Sequence, residues 1–320
     1  MKTENMDKIK IIFIGTSEIG TGLLRALNAD ERFDVALVIT QQNKPAGRKM
    51  ELTSSPIKKI TEKLSLSTFQ PESINSPESI EKIKTIDPDI IIVFAYGQIL
   101  SKQILDIPKH GCINVHASLL PKHRGASPIQ SAILNRDNET GISLMQMVEK
   151  MDAGPVYEQF PIPIEIDDNS ITLTEKTAHL ISHKIPNLLY DIIENNLSPV
   201  PQNESQATYC TKINKENGNI NWNEDIKIID SRIRAFMGWP SSYTYFNGKR
   251  LKILEAKYKK TSHNMNPGSV IKEGDIVAIT AKNGILIPVQ LQIEGKNTQS
   301  IEDFINGNPG FINSILTVSP

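Results

Sequence analysis

The sequence predicts an α/β protein: a doubly wound, mostly parallel sheet followed by a smaller β-barrel. Three observations carry that expectation. Short, wholly apolar runs alternate with amphipathic helical stretches over the first two thirds of the chain, the pattern of strands whose two faces are both covered by helices. Near residue 195 the composition turns polar and proline-bearing and loses its periodicity. Beyond that break come several short strand-like runs with turn signals between them, which suit a small barrel.

Lys10-Ile11-Ile12-Phe13-Ile14-Gly15 reads as the first buried strand and Glu18 to Asn28 as the helix that follows it. Val35 to Ile39 and Ile90 to Phe94 repeat the strand pattern, and Ile113 to Val115 continues it. Pro128 to Leu134 reads as a helix, with Ser127 as its N-cap and Pro128 at the first helical position. Thr172-Leu173-Thr174-Glu175 is a capping-box pattern that starts a long helix ending near Asn195. The stretch from Asn195 to Ser205 reads as a linker. After it, Leu251, Ile253, Ala256 and Tyr258 interleave with Lys252, Glu255, Lys257 and Lys259 in partial alternation. Ile276–Ala281 and Ile285–Ile293 form a hairpin pattern joined through Lys282-Asn283-Gly284, Asn-Gly being the strongest short hairpin signal.

A length of 320 residues fits two domains, and 39% apolar with 22% charged residues is an ordinary globular composition. No apolar run reaches 18 residues, and the charged start lacks the apolar stretch of a signal peptide, so no membrane association and a cytoplasmic location are expected. Two distant cysteines, Cys112 and Cys210, offer neither a disulfide framework nor metal-ligand spacing, and no metal is expected. Cys112 reads as core packing. The net charge of −1 gives no global nucleic-acid footprint, yet from Tyr209 onward 14 Lys and Arg face 10 Asp and Glu. That excess clusters at Lys249-Arg250, Lys252, Lys257 and Lys259-Lys260, which is a phosphate-binding face or an ordinary solvated strand.

The chemistry concentrates at Asn114-Val115-His116, where residues i and i+2 of a strand share a face at the point where strand gives way to loop. An amide there can stabilise an oxyanion. An imidazole, with a reference pKa of about 6.5, can move a proton near neutrality. Asp152 follows 36 residues after His116, ahead of a Gly154-Pro155 turn, and a carboxylate near an imidazole orients it and favours its cation. Taken alone, Asn-x-His is more often a turn cap beside a satisfied core histidine, and Asp-Ala-Gly-Pro an ordinary turn. Gly15-Thr16-Ser17-Glu18-Ile19-Gly20 lacks G-x-G-x-x-G, so a dinucleotide site is not supported.

Ser118-Leu119-Leu120-Pro121 with Arg124-Gly125 resembles a signature of formyltransferases that use 10-formyltetrahydrofolate, and Met151-Asp152-Ala153-Gly154-Pro155 resembles a second. Pro45-Ala46-Gly47-Arg48, Gly218-Asn219-Ile220-Asn221-Trp222, Arg234 to Pro240 and Leu291 to Lys296 are similar to the methionyl-tRNA formyltransferases, so the resemblance spans nearly the whole chain. It implies a Rossmann-like formyltransferase fold over 8–195, a linker over 196–208 and an OB-like, tRNA-binding barrel over 209–320. It also implies transfer of a formyl group from 10-formyltetrahydrofolate to methionyl initiator tRNA. Asn114, His116 and Asp152 would be catalytic. Ser118, Leu119, Leu120 and Pro121 would contact the folate, with the backbone at Tyr96 and Gly97. Arg48, Lys44, Lys249 and Arg250 would contact tRNA, in a monomer. The loop departs from the family at Gln42-Asn43, more often Pro-Asp, and at Lys49, usually glycine. The alternative is a formyltransferase acting on an amino sugar nucleotide, whose catalytic residues would be the same.

Overall fold

The computed structural model describes residues 8–46 and 51–320 and divides the chain into two compact units. The first takes Met1–Pro128, Glu139–Pro163 and Thr174–Tyr209; the second takes Ile129–Asn138, Ile164–Leu173 and Cys210–Pro320. In chain order the elements are β1 (Ile9–Gly15), α1 (Thr21–Ala29), β2 (Phe33–Ile39), β3 (Lys44–Ala46), β4 (Glu51–Thr53), α2 (Pro56–Lys63), β5 (Thr68–Phe69) and α3 (Pro77–Ile86). They continue through β6 (Ile90–Phe94), α4 (Lys102–Leu105), β7 (Cys112–His116), β8 (Arg124–Gly125), α5 (Pro128–Leu134), β9 (Glu139–Gln146), β10 (Val156–Pro163) and α6 (Ser170–Glu194). The remainder is β11 (Tyr209–Cys210), α7 (Ile226–Ala235), β12 (Ser242–Phe246), β13 (Lys249–Lys260), β14 (Val270–Glu273), β15 (Ile276–Ala281), β16 (Gly284–Ile293), β17 (Gln299–Ser300) and α8 (Ile301–Gly307). Among the described residues, no helix is long and apolar enough to cross a membrane.

The first unit is built on a seven-stranded sheet in the order β10-β9-β7-β6-β1-β2-β5. Its five strands from β5 to β7 run parallel, and β9 and β10 join antiparallel beyond β7. Ile11 to Ile14 and Ile90 to Ile92 are fully buried, as strands covered on both faces require. The strand order reverses at β1, which lies between β2 and β6, so the ligand-binding crevice of such a sheet opens at these carboxyl ends. There Gly15 is required by close packing: a Cβ would lie 2.8 Å from the carbonyl oxygen of Phe94. Its freedom serves strand approach, not phosphate binding. The Thr16 hydroxyl donates to the carbonyl of Tyr96 (3.1 Å), tying the loops after β1 and β6 together.

Serine followed by proline opens α2 and α3. The Ser55 hydroxyl accepts from Lys58 N (3.0 Å) and the Ser76 hydroxyl from Ser79 N (3.2 Å), each ahead of proline in the first turn. The predicted cap of the long helix shifts. Asn169 Oδ1 accepts from Ile171 N (2.9 Å) and Thr172 N (3.1 Å), so α6 starts at Ser170. The Thr172 hydroxyl donates to Asp168 Oδ1 instead (2.9 Å), and the expected Thr172/Glu175 capping box gives way to this asparagine cap.

The second unit is an antiparallel sheet in the order β12-β13-β16-β15-β14, with β17 on β16. The barrel expected from sequence is not closed strand to strand. Residues 313–318 lie between the outermost strands instead, exchanging backbone bonds with Tyr245 on one side (2.9 and 3.1 Å) and with Val270 on the other (2.9 Å each). Asn247-Gly248 is the two-residue turn between β12 and β13, with φ of 50° and 73°, the type I′ pattern that favours Asn-Gly. The expected hairpin of β15 and β16 forms, but its Lys282-Asn283-Gly284 connection shortens to Lys282-Asn283, because Ala281 pairs with Gly284. Asn283 instead accepts from Ile226 N (3.0 Å) and donates to Asp225 Oδ2 (2.8 Å). Register shifts on either side of Glu255 move the inward set of β13 from Leu251 and Ile253 to Ala256 and Tyr258, which explains the broken alternation. Trp222, Phe246, Phe304 and Phe311 fill the core, with Ile226, Ile229 and Ile233 of α7 against them.

Candidate active site

The carboxyl end of β7 presents Asn114 and His116 on one face, with Asp152 brought to them by the loop between β9 and β10. Asn114 Nδ2 donates to Asp152 Oδ1 (3.4 Å). His116 Nδ1 lies 3.8 Å from Asp152 Oδ2, with both side chains largely shielded from solvent. His116 Nε2 is 2.9 Å from the carbonyl oxygen of His123. A carbonyl only accepts, so Nε2 donates there, and Nδ1 is the ring nitrogen turned toward Asp152. Asp152 Oδ2 also accepts from Gly125 N (2.8 Å), which fixes the carboxylate from the far side. The amide of Asn114 has two hydrogens and the bond to Asp152 uses one, which leaves the second to serve a bound acceptor.

Asp152 holds a left-handed backbone (φ 50°), uncommon for a residue with a side chain. The turn that follows is equally constrained, because a Cβ on Gly154 would lie 1.8 Å from the carbonyl oxygen of Gln146. Val148 and Met151, on the same loop as Asp152, are 40% and 54% exposed.

The Ser118–Pro121 turn is pinned from behind. The Ser118 hydroxyl donates to Lys122 O (2.6 Å), and the Ser143 hydroxyl donates to Ser118 O (2.7 Å) while accepting from Leu120 N (2.9 Å). Gln159 Nε2 donates to Leu120 O (2.8 Å). Leu120 is buried and Leu119 half-buried, its side chain against Gly141. Leu120 and Pro121 line a cavity of about 310 Å³ with Val156, Tyr157, Gln159 and Gln202. The three catalytic candidates do not line that cavity, nor do Tyr96 and Gly97. Tyr96 turns its ring into the core, where burial pushes the phenol up to about 12, while its carbonyl serves Thr16; Gly97 is exposed at φ 92°. Cys112 is core, and burial pushes its thiol up to about 12, which rules it out as a nucleophile near neutrality.

Sequence inspection missed the groups that hold the loops. Arg124 is fully buried, and its Nη2 donates to Gln202 Oε1 (2.7 Å) and Glu204 Oε1 (2.7 Å). Lys150 Nζ reaches the other oxygen of Glu204 (2.8 Å). These two cations lower the Glu204 carboxyl to about 2, from an ordinary value of 4.5. A depressed carboxylate stabilises the fold above its unfolded pKa and loses that contribution as pH falls through the folded one. The contribution of Glu204 is therefore whole above about pH 4.5 and fades toward pH 2. Glu204→Gln should unfold at a lower denaturant midpoint than the parent at neutral pH, and the gap should narrow across that window. A gap that stays constant with pH would mean the carboxylate charge contributes nothing.

Lys44 is exposed on β3, which pairs with β4, and Arg48 falls in 47–50, outside the described residues. Lys249 is exposed beside the type I′ turn. Arg250 is half-buried, with its guanidinium 4.4 Å from the Tyr243 ring centre. Among the described residues no group of three or more His, Cys, Asp or Glu is placed to hold a metal ion.

Residues 8–189 match the family model of formyl transferases, and residues 212–309 match that of the formyl transferase C-terminal domain. The chain is 40% identical over 301 residues to the methionyl-tRNA formyltransferase of Caldicellulosiruptor saccharolyticus, covering 93% of this chain and 96% of that one. Among solved structures it resembles HypX from Aquifex aeolicus in complex with tetrahydrofolic acid (TM-score 0.62, 15% identity, 96% of this chain and 48% of that one). It also resembles an N-formyltransferase from Helicobacter canadensis in complex with folinic acid and dTDP-3-aminofucose (TM-score 0.64, 19% identity, 88% and 99%).

Proposed function

We infer the function from the family: this chain belongs to the methionyl-tRNA formyltransferases of the formyl transferase family. It transfers the formyl group of 10-formyltetrahydrofolate to the α-amino group of methionyl initiator tRNA, giving N-formylmethionyl-tRNA for translation initiation. The observation that carries the residue assignment is the convergence of Asn114, His116 and Asp152 at the carboxyl end of β7. The free amine attacks the planar formyl carbon, and charge develops on the formyl oxygen. The second hydrogen of Asn114 Nδ2 meets that oxygen, and such a donor is worth about 3–4 kcal/mol in a dry site. His116 accepts the amine's proton at Nδ1, because Nε2 is already committed to His123 O. The imidazolium then lies against Asp152 Oδ2, which steadies it. As the bond from the formyl carbon to the folate nitrogen breaks, that nitrogen takes the proton, and the new amide bond is complete.

The folate lies against Ser118, Leu119, Leu120 and Pro121 and the backbone at Tyr96 and Gly97, with Val148 and Met151 adding apolar surface beside Asp152. Residues 8–195 form the catalytic domain, 196–208 the linker, and 209–320 the tRNA-binding domain. Lys249 and Arg250, with Lys44 and Arg48 from the first domain, meet tRNA phosphates, contacts that position without reading bases. The enzyme works as a monomer in the cytoplasm. The Helicobacter canadensis N-formyltransferase solved with dTDP-3-aminofucose is only 19% identical, so it shares the fold and lends the sugar alternative no further support.

The deciding assay offers the purified chain 10-formyltetrahydrofolate with charged initiator tRNA, and in parallel with an amino sugar nucleotide. We expect kcat/KM to favour the charged tRNA by at least about 10³-fold, since a site built to pair with one acceptor discriminates on that order. Comparable rates on the two acceptors would overturn the assignment.

A further inference from the structure

The geometry points to Gln202 as a positioning residue for Asp152, an inference that rests on Asp152 being catalytic. Gln202 Nε2 donates to the carbonyl oxygens of Asp152 (2.9 Å) and Gly154 (2.7 Å), bridging the two ends of the turn that carries the carboxylate. Its Oε1 accepts from Arg124 Nε (3.1 Å) and Nη2 (2.7 Å). The amide is thus fully used, and its orientation is fixed, since a flipped amide would set its NH2 against a guanidinium that only donates. Arg124 in turn immediately precedes Gly125, whose N–H holds Asp152 Oδ2 (2.8 Å).

One side chain therefore joins the two loops that grip the catalytic carboxylate. Glu204 closes the strap by accepting from Arg124 on one loop and Lys150 on the other. The arrangement answers a physical need. Asp152 is held at φ 50°, a backbone that persists only where its surroundings over-determine it. A polar, proline-bearing stretch supplies that determination from 50 residues further along the chain. The hydrogen bonds of the Gln202 side chain go to Arg124 and to the backbone carbonyls of Asp152 and Gly154, and to none of the three catalytic side chains. Gln202 acts by keeping the carboxylate in register with His116, as outer partners of a catalytic group do.

The test is Gln202→Leu, close in size and without the amide, alone and combined with Asp152→Ala, assayed with the acceptor that the parent enzyme formylates. We expect kcat to fall on the order of 10–100-fold, with both KM values within about twofold. In the Asp152→Ala background the same change should have no further effect on kcat, because its only route to the chemistry is gone. Should Gln202→Leu fail to fold, Gln202→Glu keeps an acceptor for Arg124 and sets a carboxylate oxygen against the two carbonyls; it should show the same loss and the same dependence on Asp152. An equal fractional loss with and without Asp152 would make the residue structural only and overturn the inference. So would near-parental kcat in a folded variant. Full activity of Asp152→Ala by itself is a different failure, for it removes the reading of the site and the inference together.

Discussion

Asn114→Ala is expected to lower kcat by about 10²–10³-fold, and His116→Ala by about 10²–10⁴-fold, with folate affinity nearly unchanged. On the proposed roles, the first loses the amide hydrogen offered to the developing oxyanion, and the second the ring nitrogen that faces Asp152. Asp152→Ala should fall in the same range, since it leaves the imidazolium without its carboxylate and Gly125 N without its acceptor. The proposed roles are all exerted on the transition state rather than on substrate binding, so the loss is expected in kcat. The losses should also be far from multiplicative, because Asp152 contacts both of the others and the three work as one unit. Single-turnover formyl transfer, with folate binding measured separately, separates the two effects. Near-normal turnover in any single variant removes that residue from the site, and strictly multiplicative losses would falsify a shared constellation.

Trp222→Ala is expected to carry the largest stability loss, about 3–5 kcal/mol, the range for truncating a large core aromatic. Trp222 is 2% exposed and its Nε1 donates to Thr244 Oγ1 (3.1 Å), itself fully buried. The space it would leave is hard to close, because Gly268 sits against the indole: a Cβ there would lie 3.2 Å from the ring. Gly268 is also held by the backbone of Thr280 and Leu316 (2.7 and 2.8 Å), so the wall cannot move inward. Urea unfolding followed by far-ultraviolet circular dichroism should show the loss in the transition of the second unit. A change below about 1 kcal/mol would mean that the core repacks around the missing ring.

The parallel strands were legible because burial on both faces leaves an apolar run that needs no partner to be recognised. Ile11 to Ile14 and Ile90 to Val93 are such runs. Strand geometry also put Asn114 and His116 on one face, but their catalytic reading came from the resemblance of the flanking segments, since Asn-x-His alone is more often a turn cap beside a core histidine. Local signals marked a hairpin but not which residues make its turn. Asn247-Gly248 and Asn283-Gly284 are identical dipeptides between apolar runs, yet only the first takes two positive φ values. The second asparagine is claimed by Ile226 and Asp225, more than fifty residues earlier, which no short window reveals. Thr172 lost its capping role to Asn169 in the same way, its hydroxyl drawn to Asp168. Gln202 was the least legible. Polarity and proline describe its surroundings well, and neither says that its amide faces inward to two carbonyls and a buried guanidinium.

The segment 313–318 has a consequence for how the second unit keeps to itself. An antiparallel sheet that does not close leaves two edges, each a row of unpaired N–H and C=O groups that another chain can extend. Here the same short stretch satisfies backbone groups at Tyr245 on one edge and at Gly268 and Val270 on the other. It contributes Leu316 to the core and otherwise works as a cover. Anything that lifts it would bare both edges at once and offer the unit to strand-by-strand association. Resistance to aggregation is therefore lodged in a few residues that have no part in the chemistry.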